Sequence, residues 1–167
     1  MSGRIEVNRA LAPVAISARV LNALCEHARE TYPEECCGLL VGPAAGVFEQ
    51  ASRCRNEMTR MHQRDRETHP RDGKEAFHMN EADLLRAVEE AEAKGLRVTG
   101  VYHSHTNGGS YFSELDQEFV RRVGFPFPDA QHVVISVLEG VVRESAVFRR
   151  IDGPPGFEGR LLNGVVT

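Results

Sequence analysis

The sequence predicts an α/β domain built on a mixed sheet. Three observations predict it. Apolar residues recur at helical spacing in two segments, 20–28 and 84–91. Short runs rich in β-branched and aromatic residues lie around them, at 38–41, 96–102 and 132–138. Glu139-Gly140 then joins the last run to another, 141–151, with the spacing of a two-residue hairpin.

Taken in order, residues 1–12 read as a poorly specified lead-in, and 14–16 as a first short strand. Ser17 offers an N-cap. Val20, Leu21, Leu24, Cys25 and Ala28 then give an amphipathic helix to about Glu30, which Pro33 stops. Residues 38–41 read as a buried strand and 47–54 as its antiparallel partner beyond the turn 43–46. Residues 53–74 carry seven basic and four acidic side chains, with Met58 and Met61 as their only large apolar residues. This aperiodic stretch, an expected charged insertion loop at 55–76, is open to two readings: a solvated mobile loop, or a recognition flap. A short strand is expected at 77–79. Asn80 caps a helix at 81–94, with Asp83 in its first turn, Leu84, Leu85, Val88 and Ala91 on one face, and Gly95 just past its end. Strand 96–102 leads into His103. Ser113 starts a further helix that ends near Gly124, and 125–128 makes a rigid turn before the hairpin 132–151. Leu161, Leu162, Val165 and Val166 suggest a last strand at the sheet's edge.

At 167 residues the chain fits one domain spanning 1–167. A net charge of −4 argues against nucleic acid as a partner, since a basic balance would be needed there. The longest apolar run, 133–138, is too short to cross a membrane. The first residues lack the apolar core of a secretory signal. Cys25, Cys36, Cys37 and Cys54 form no Cys-x-x-Cys pair, so a structural zinc knuckle is not expected, and reduced thiols in a cytoplasmic protein are.

The chemistry-bearing stretch is His103-Ser104-His105, followed seven residues on by Ser113 and then Asp116. Alternate residues of a strand share a face, so the two imidazoles point the same way. A glycine-rich turn at 108–110 and a helix started by Ser113 would bring Asp116 back toward them. Two histidines and a carboxylate are a zinc-type ligand set that leaves one position open. Spacing alone leaves a second reading: two polar residues at a strand end, followed by an ordinary Ser-x-x-Asp helix cap.

Upstream runs Pro33-Glu34-Glu35-Cys36-Cys37-Gly38. A zinc hydrolase needs a carboxylate base, and either glutamate supplies one. Taken on its own, this pair is equally an acidic turn in solvent. Cys36 or Cys37 as a nucleophile is disfavoured, because cysteine at the start of a core strand is usually buried and inert.

Together the two stretches resemble the JAMM (MPN+) metallopeptidases, whose pattern is an upstream Glu followed by His-x-His-x7-Ser-x-x-Asp. Glu35, His103, His105, Ser113 and Asp116 match it without a gap. The resemblance covers about residues 14–150, and the Pro-x-Glu-x-Cys-Gly surround is similar to the family's bacterial branch. It implies the JAMM/MPN fold, a curved mixed β-sheet flanked by helices and similar to zinc deaminases such as cytidine deaminase. It implies zinc (Zn2+) on His103, His105 and Asp116, with Glu35 rather than Glu34 as base and Ser113 as oxyanion donor. The family cuts the amide after the C-terminal Gly-Gly of ubiquitin-like proteins. Thr106 after His105 resembles the hydrolases that free cysteine from a sulfur-carrier protein. The expected partner is therefore a ubiquitin-like or sulfur-carrier protein with a Gly-Gly tail, with no nucleic acid and no membrane. In that family a segment placed like 55–76 helps hold the substrate tail. The rival is a non-catalytic MPN-type protein-binding scaffold.

Overall fold

The computed structural model describes residues 3–166. Its elements run β1 (Val14–Ser17), α1 (Ala18–Thr31), β2 (Cys37–Gly42), β3 (Gln50–Cys54), α2 (Met58–Arg64), α3 (Glu81–Ala93), β4 (Arg97–Thr106), α4 (Glu114–Arg121), β5 (Gln131–Leu138), β6 (Val141–Arg150) and β7 (Phe157–Val165). The strands form one mixed, curled sheet in the order β1-β7-β6-β5-β4-β2-β3. β4 runs parallel to β5 and β1 parallel to β7; the other neighbours are antiparallel.

Strand alternation sorts the core into two layers. Leu40, Tyr102, Val133, Ile135 and Val147 meet Val20, Leu24 and Ala28 of α1 on one face. Leu39 and Val101 meet Ala87 of α3 on the other, where Val134, Ala146 and Phe148 meet Val120 of α4. Gly38 stands opposite Tyr102 because a Cβ there would fall on the Tyr102 ring and the Ser52 carbonyl. Tyr102 in turn places its hydroxyl 2.7 Å from Nδ1 of His27 on α1. Glu139 and Gly140, with φ of 51° and 78°, make the expected two-residue turn between β5 and β6.

Several expectations need correction. The charged insertion is not one irregular loop: α2 lies within it, docked by the buried Met58. Its ends are braced by His62, whose Nδ1 lies 2.7 Å from the His69 carbonyl, and by Asn56, whose side chain bonds the Glu35 and Ala76 carbonyls. Residues 77–79 form no strand; only Met79 makes a β-bridge, to Asn56. On α3 the expected face holds at Ala91, which is buried, and at Leu84 and Val88, which pack on the core, but Leu85 is 58% exposed and Ala87 is buried in its stead. Asn80 does cap that helix, accepting the Asp83 N–H at 2.9 Å, and Gly95 follows it at φ 70°. Ser17 holds the N-cap position of α1 without a side-chain bond. β7 is an interior strand, because β1 closes the edge beyond it. The lead-in is also docked: Ile5 bridges Phe112, Val7 bridges Gly159, and Ile5 is buried beside Phe112.

Candidate metal centre

β4 carries Ser104 into the α1 layer and turns His103 and His105 to the opposite face. The Ser104 hydroxyl accepts the Cys36 N–H at 2.8 Å, and the Ser104 N–H donates to the Cys36 carbonyl at 3.1 Å. Cys37 pairs with His103, so two more steps of the antiparallel register set Glu35 across from His105 on the histidine face. Beyond Thr106 the chain turns at Asn107, whose φ is 58°, and returns to start α4. There Ser113 and Asp116 form a reciprocal capping box: the Ser113 hydroxyl accepts the Asp116 N–H, and Asp116 Oδ2 accepts the Ser113 N–H, each at 3.0 Å. The cap therefore exists, and it is also what aims the carboxylate.

His103, His105 and Asp116 are buried and converge. His103 Nε2 lies 3.1 Å from His105 Nε2 and 3.2 Å from Asp116 Oδ1; His105 Nε2 lies 3.3 Å from Asp116 Oδ2. Neighbouring corners of a tetrahedron drawn around zinc with nitrogen and oxygen ligands are roughly 3.3 Å apart. His105 Nδ1 is 2.9 Å from the Gly109 carbonyl, which can only accept. Nδ1 therefore carries the proton, and Nε2 presents a lone pair inward. Two inward-facing nitrogens this close require a proton or a cation between them, so the donor set fits a divalent metal. Burial works against ionisation of Asp116, but the imidazoles of His103 and His105 outweigh it and hold the carboxyl well below the usual range.

Glu35 is buried close by, its N–H donating to the Gly73 carbonyl at 2.7 Å. Burial first, then the charges of Asp116 and Glu75, push its carboxyl well above the usual range. Glu34 is only half-buried, and its carboxylate accepts the Thr59 hydroxyl instead. Burial pushes the Cys36 thiol up to about 12 and raises that of Cys37, which leaves neither as a thiolate at neutral pH.

Residues 17–151 match the family model described as prokaryotic homologs of the JAB domain. The chain belongs to that family. Curated relatives are the CysO-cysteine peptidases of Mycobacterium tuberculosis and Mycobacterium bovis, each 29% identical over 143 residues and 84% of both chains. Among solved structures, a protein from Desulfitobacterium hafniense superposes with a TM-score of 0.67 at 19% identity, covering 92% of this chain and 94% of that one. A JAB1/MPN domain protein from Archaeoglobus fulgidus superposes at 0.51 and 17% identity, covering 94% and 100%. These structures share the JAB fold with this chain.

The JAB domain places further residues at the centre that sequence reading missed. Phe77 stacks on the His103 ring with 4.6 Å between centroids, and Phe119 of α4 meets it edge-on. Tyr111 tilts against His105 at 4.7 Å. The Thr106 hydroxyl bonds the Lys74 carbonyl at 2.8 Å, fastening the insertion to the end of β4. Thus the segment 73–77 walls the site on the His103 side, and Tyr111 walls it on the other. In the sequence Phe77 reads only as the start of a short strand, which carries no link to the histidines. Tyr111 lies between the two halves of the motif, and that position is the one signal that could have found it. Behind this cluster, His132 is buried among Phe112, Phe125 and Phe157, and its Nε2 has no hydrogen-bond partner among the described residues. It plays a packing part and adds no ligand.

Proposed function

We propose that this chain is a zinc-dependent hydrolase of the JAMM type. It would cleave the amide after the C-terminal Gly-Gly of a sulfur-carrier or ubiquitin-like protein, releasing cysteine or a lysine-linked partner. The observation that carries the proposal is the buried convergence of His103, His105 and Asp116 beside the buried Glu35. The relatives named CysO-cysteine peptidase support a sulfur carrier as the protein half of the substrate.

Zinc held at such a site supplies an acidified water and a Lewis acid for the scissile carbonyl. The chain's own groups do the rest. Glu35 takes a proton from the attacking water and returns it to the leaving amine nitrogen. A carboxyl whose proton affinity burial raises above the usual carboxylate range is suited to both halves of that transfer. The Ser113 oxygen already accepts the Asp116 N–H, so its own hydrogen is free to donate to the developing oxyanion. Phe77 and Tyr111 shield the two imidazoles from water on either side. A glycine tail suits this walled cleft because its backbone can approach closely.

A cytoplasmic location belongs to the same proposal: Cys25, Cys36, Cys37 and Cys54 are free thiols, as in a reducing compartment. None of the described helices is long and apolar enough to cross a membrane. The test is to incubate zinc-loaded protein with carrier–amino acid conjugates, with and without chelator, and to read intact mass. Chelator-sensitive loss of the amino acid is expected. Failure to cleave any conjugate would favour the non-catalytic scaffold.

A further inference from the structure

The walls of the centre differ in charge. On the His103 side the wall is the apolar ring of Phe77. On the His105 side the N-terminal strap brings a cation, Arg4, over the ring that packs on His105. Ile5 and Phe112 exchange both backbone hydrogen bonds, at 2.8 and 2.9 Å, and both side chains enter the core. Alternation therefore turns Arg4 and Glu6 to the opposite side of the strap, together with Tyr111 and Ser113. The contacts agree: the Arg4 guanidinium lies over the Tyr111 ring, 4.3 Å from its centroid, and that ring packs on His105. Gln117 fixes the start of the strap by donating to the Gly3 carbonyl at 3.0 Å. Glu6 engages Arg4 through Nε at 2.6 Å. That leaves the two Nη groups, the fork that grips a carboxylate with two parallel bonds.

We propose that Arg4, seated on Tyr111 at the rim of the metal centre, binds the free carboxylate of the amino acid that leaves the carrier. This rests on the hydrolase reading and narrows its substrate. A carboxylate two bonds from the leaving nitrogen is drawn to the Arg4 fork rather than to the apolar Phe77 wall. The neutral glycine tail then occupies the Phe77 side. Arg4 would thus select a carrier joined to a single amino acid over a carrier joined to a lysine side chain inside a protein, which offers no carboxylate at that distance. Arg4 is a specificity residue and touches none of the reacting atoms.

The test compares two conjugates of one carrier, ending Gly-Gly-Cys with a free carboxylate or with a carboxamide. The wild-type enzyme is expected to prefer the acid by about tenfold or more in kcat/KM, through KM, as a charge-assisted bidentate contact implies. Arg4→Gln should remove that preference by weakening the acid alone, and Arg4→Lys should restore part of it. Binding of both conjugates to Glu35→Gln, with and without Arg4→Gln, reads the same preference without turnover. Arg4 is exposed, so an unchanged melting temperature is expected for both variants. Equal cleavage of acid and carboxamide by the wild type, or an undiminished preference in Arg4→Gln, would overturn the proposal while leaving the hydrolase standing. Cleavage of neither conjugate would overturn both.

Discussion

The Ser104 hydroxyl and the Cys36 N–H are joined at 2.8 Å on the face of β4 turned away from the metal centre. This buried bond sets where β2 begins, and with it where Glu35 stands relative to His105. Ser104→Ala leaves the Cys36 N–H unpartnered and should cost about 1–3 kcal/mol in urea denaturation. Turnover should fall further than zinc affinity, because the ligands stay on their strand while the base loses its anchor. Unchanged stability and rate would show that the bond does not position Glu35.

Glu35→Gln keeps the shape of the side chain and removes its proton chemistry. Zinc content should stay near that of the wild type, while turnover drops by about 10²–10⁴-fold. Glu34→Gln, whose carboxylate is engaged by Thr59, should lose far less. A wild-type rate in Glu35→Gln would remove the base from the mechanism.

Asp116 belongs both to the converging His103–His105–Asp116 cluster and to the α4 cap, whereas His103 belongs only to the first. Zinc should raise the melting temperature of the wild type and leave His103→Ala and Asp116→Ala unmoved. Without metal, Asp116→Ala should lose about 0.5–2 kcal/mol more than cap-neutral changes in α4, through its half of the capping box. Calorimetry with and without zinc separates the two losses.

Burial lowers His27 from 6.5 to about 4, aided by the Arg53 charge, and lowers His132 to about 3, aided by His103. Both are bases kept neutral by the fold. Their contribution is complete above pH 6.5 and shrinks as pH falls, because the unfolded chain takes up protons first. The slope is about 1.4 kcal/mol per pH unit for each histidine, continuing down toward pH 4. Urea midpoints of metal-free protein at pH 7 and pH 5 should show this loss, and His132→Leu should flatten it. An equal pH dependence in that variant would exclude His132 as a source.

The site was legible where its information is local. Strand alternation, a glycine turn and a capping box place His103, His105, Ser113 and Asp116 within one short stretch, so their spacing carries their geometry. Glu35 was harder, since its place follows from a β2–β4 register that no short window contains. The misread parts share a cause in long-range packing. α2 needs no apolar stripe because it is docked by Met58, by the Asn56 side chain accepting the Met58 N–H and by the Thr59 hydroxyl accepting the Gly73 N–H. Phe77 leaves strand geometry to cover His103. Leu85 looked like core by spacing, but the sheet in front of α3 accommodates the smaller Ala87 and Ala91. The lead-in looked unspecified because its partners, Phe112 and Gly159, lie more than a hundred residues away.

The outer side of β7 is covered wholly by the chain's beginning: Val7 and Asn8 meet Gly159, and β1 runs beside residues 162–165. β1 is only four residues long and joins β7 in parallel, so it returns from the far end of the sequence with no hairpin to hold it. A molecule in which this cover peels away would offer an open ladder to the first strand of another copy. Concentrated protein warmed below its unfolding temperature should therefore exchange these segments between molecules, and the same peeling would carry Arg4 away from the cleft it borders.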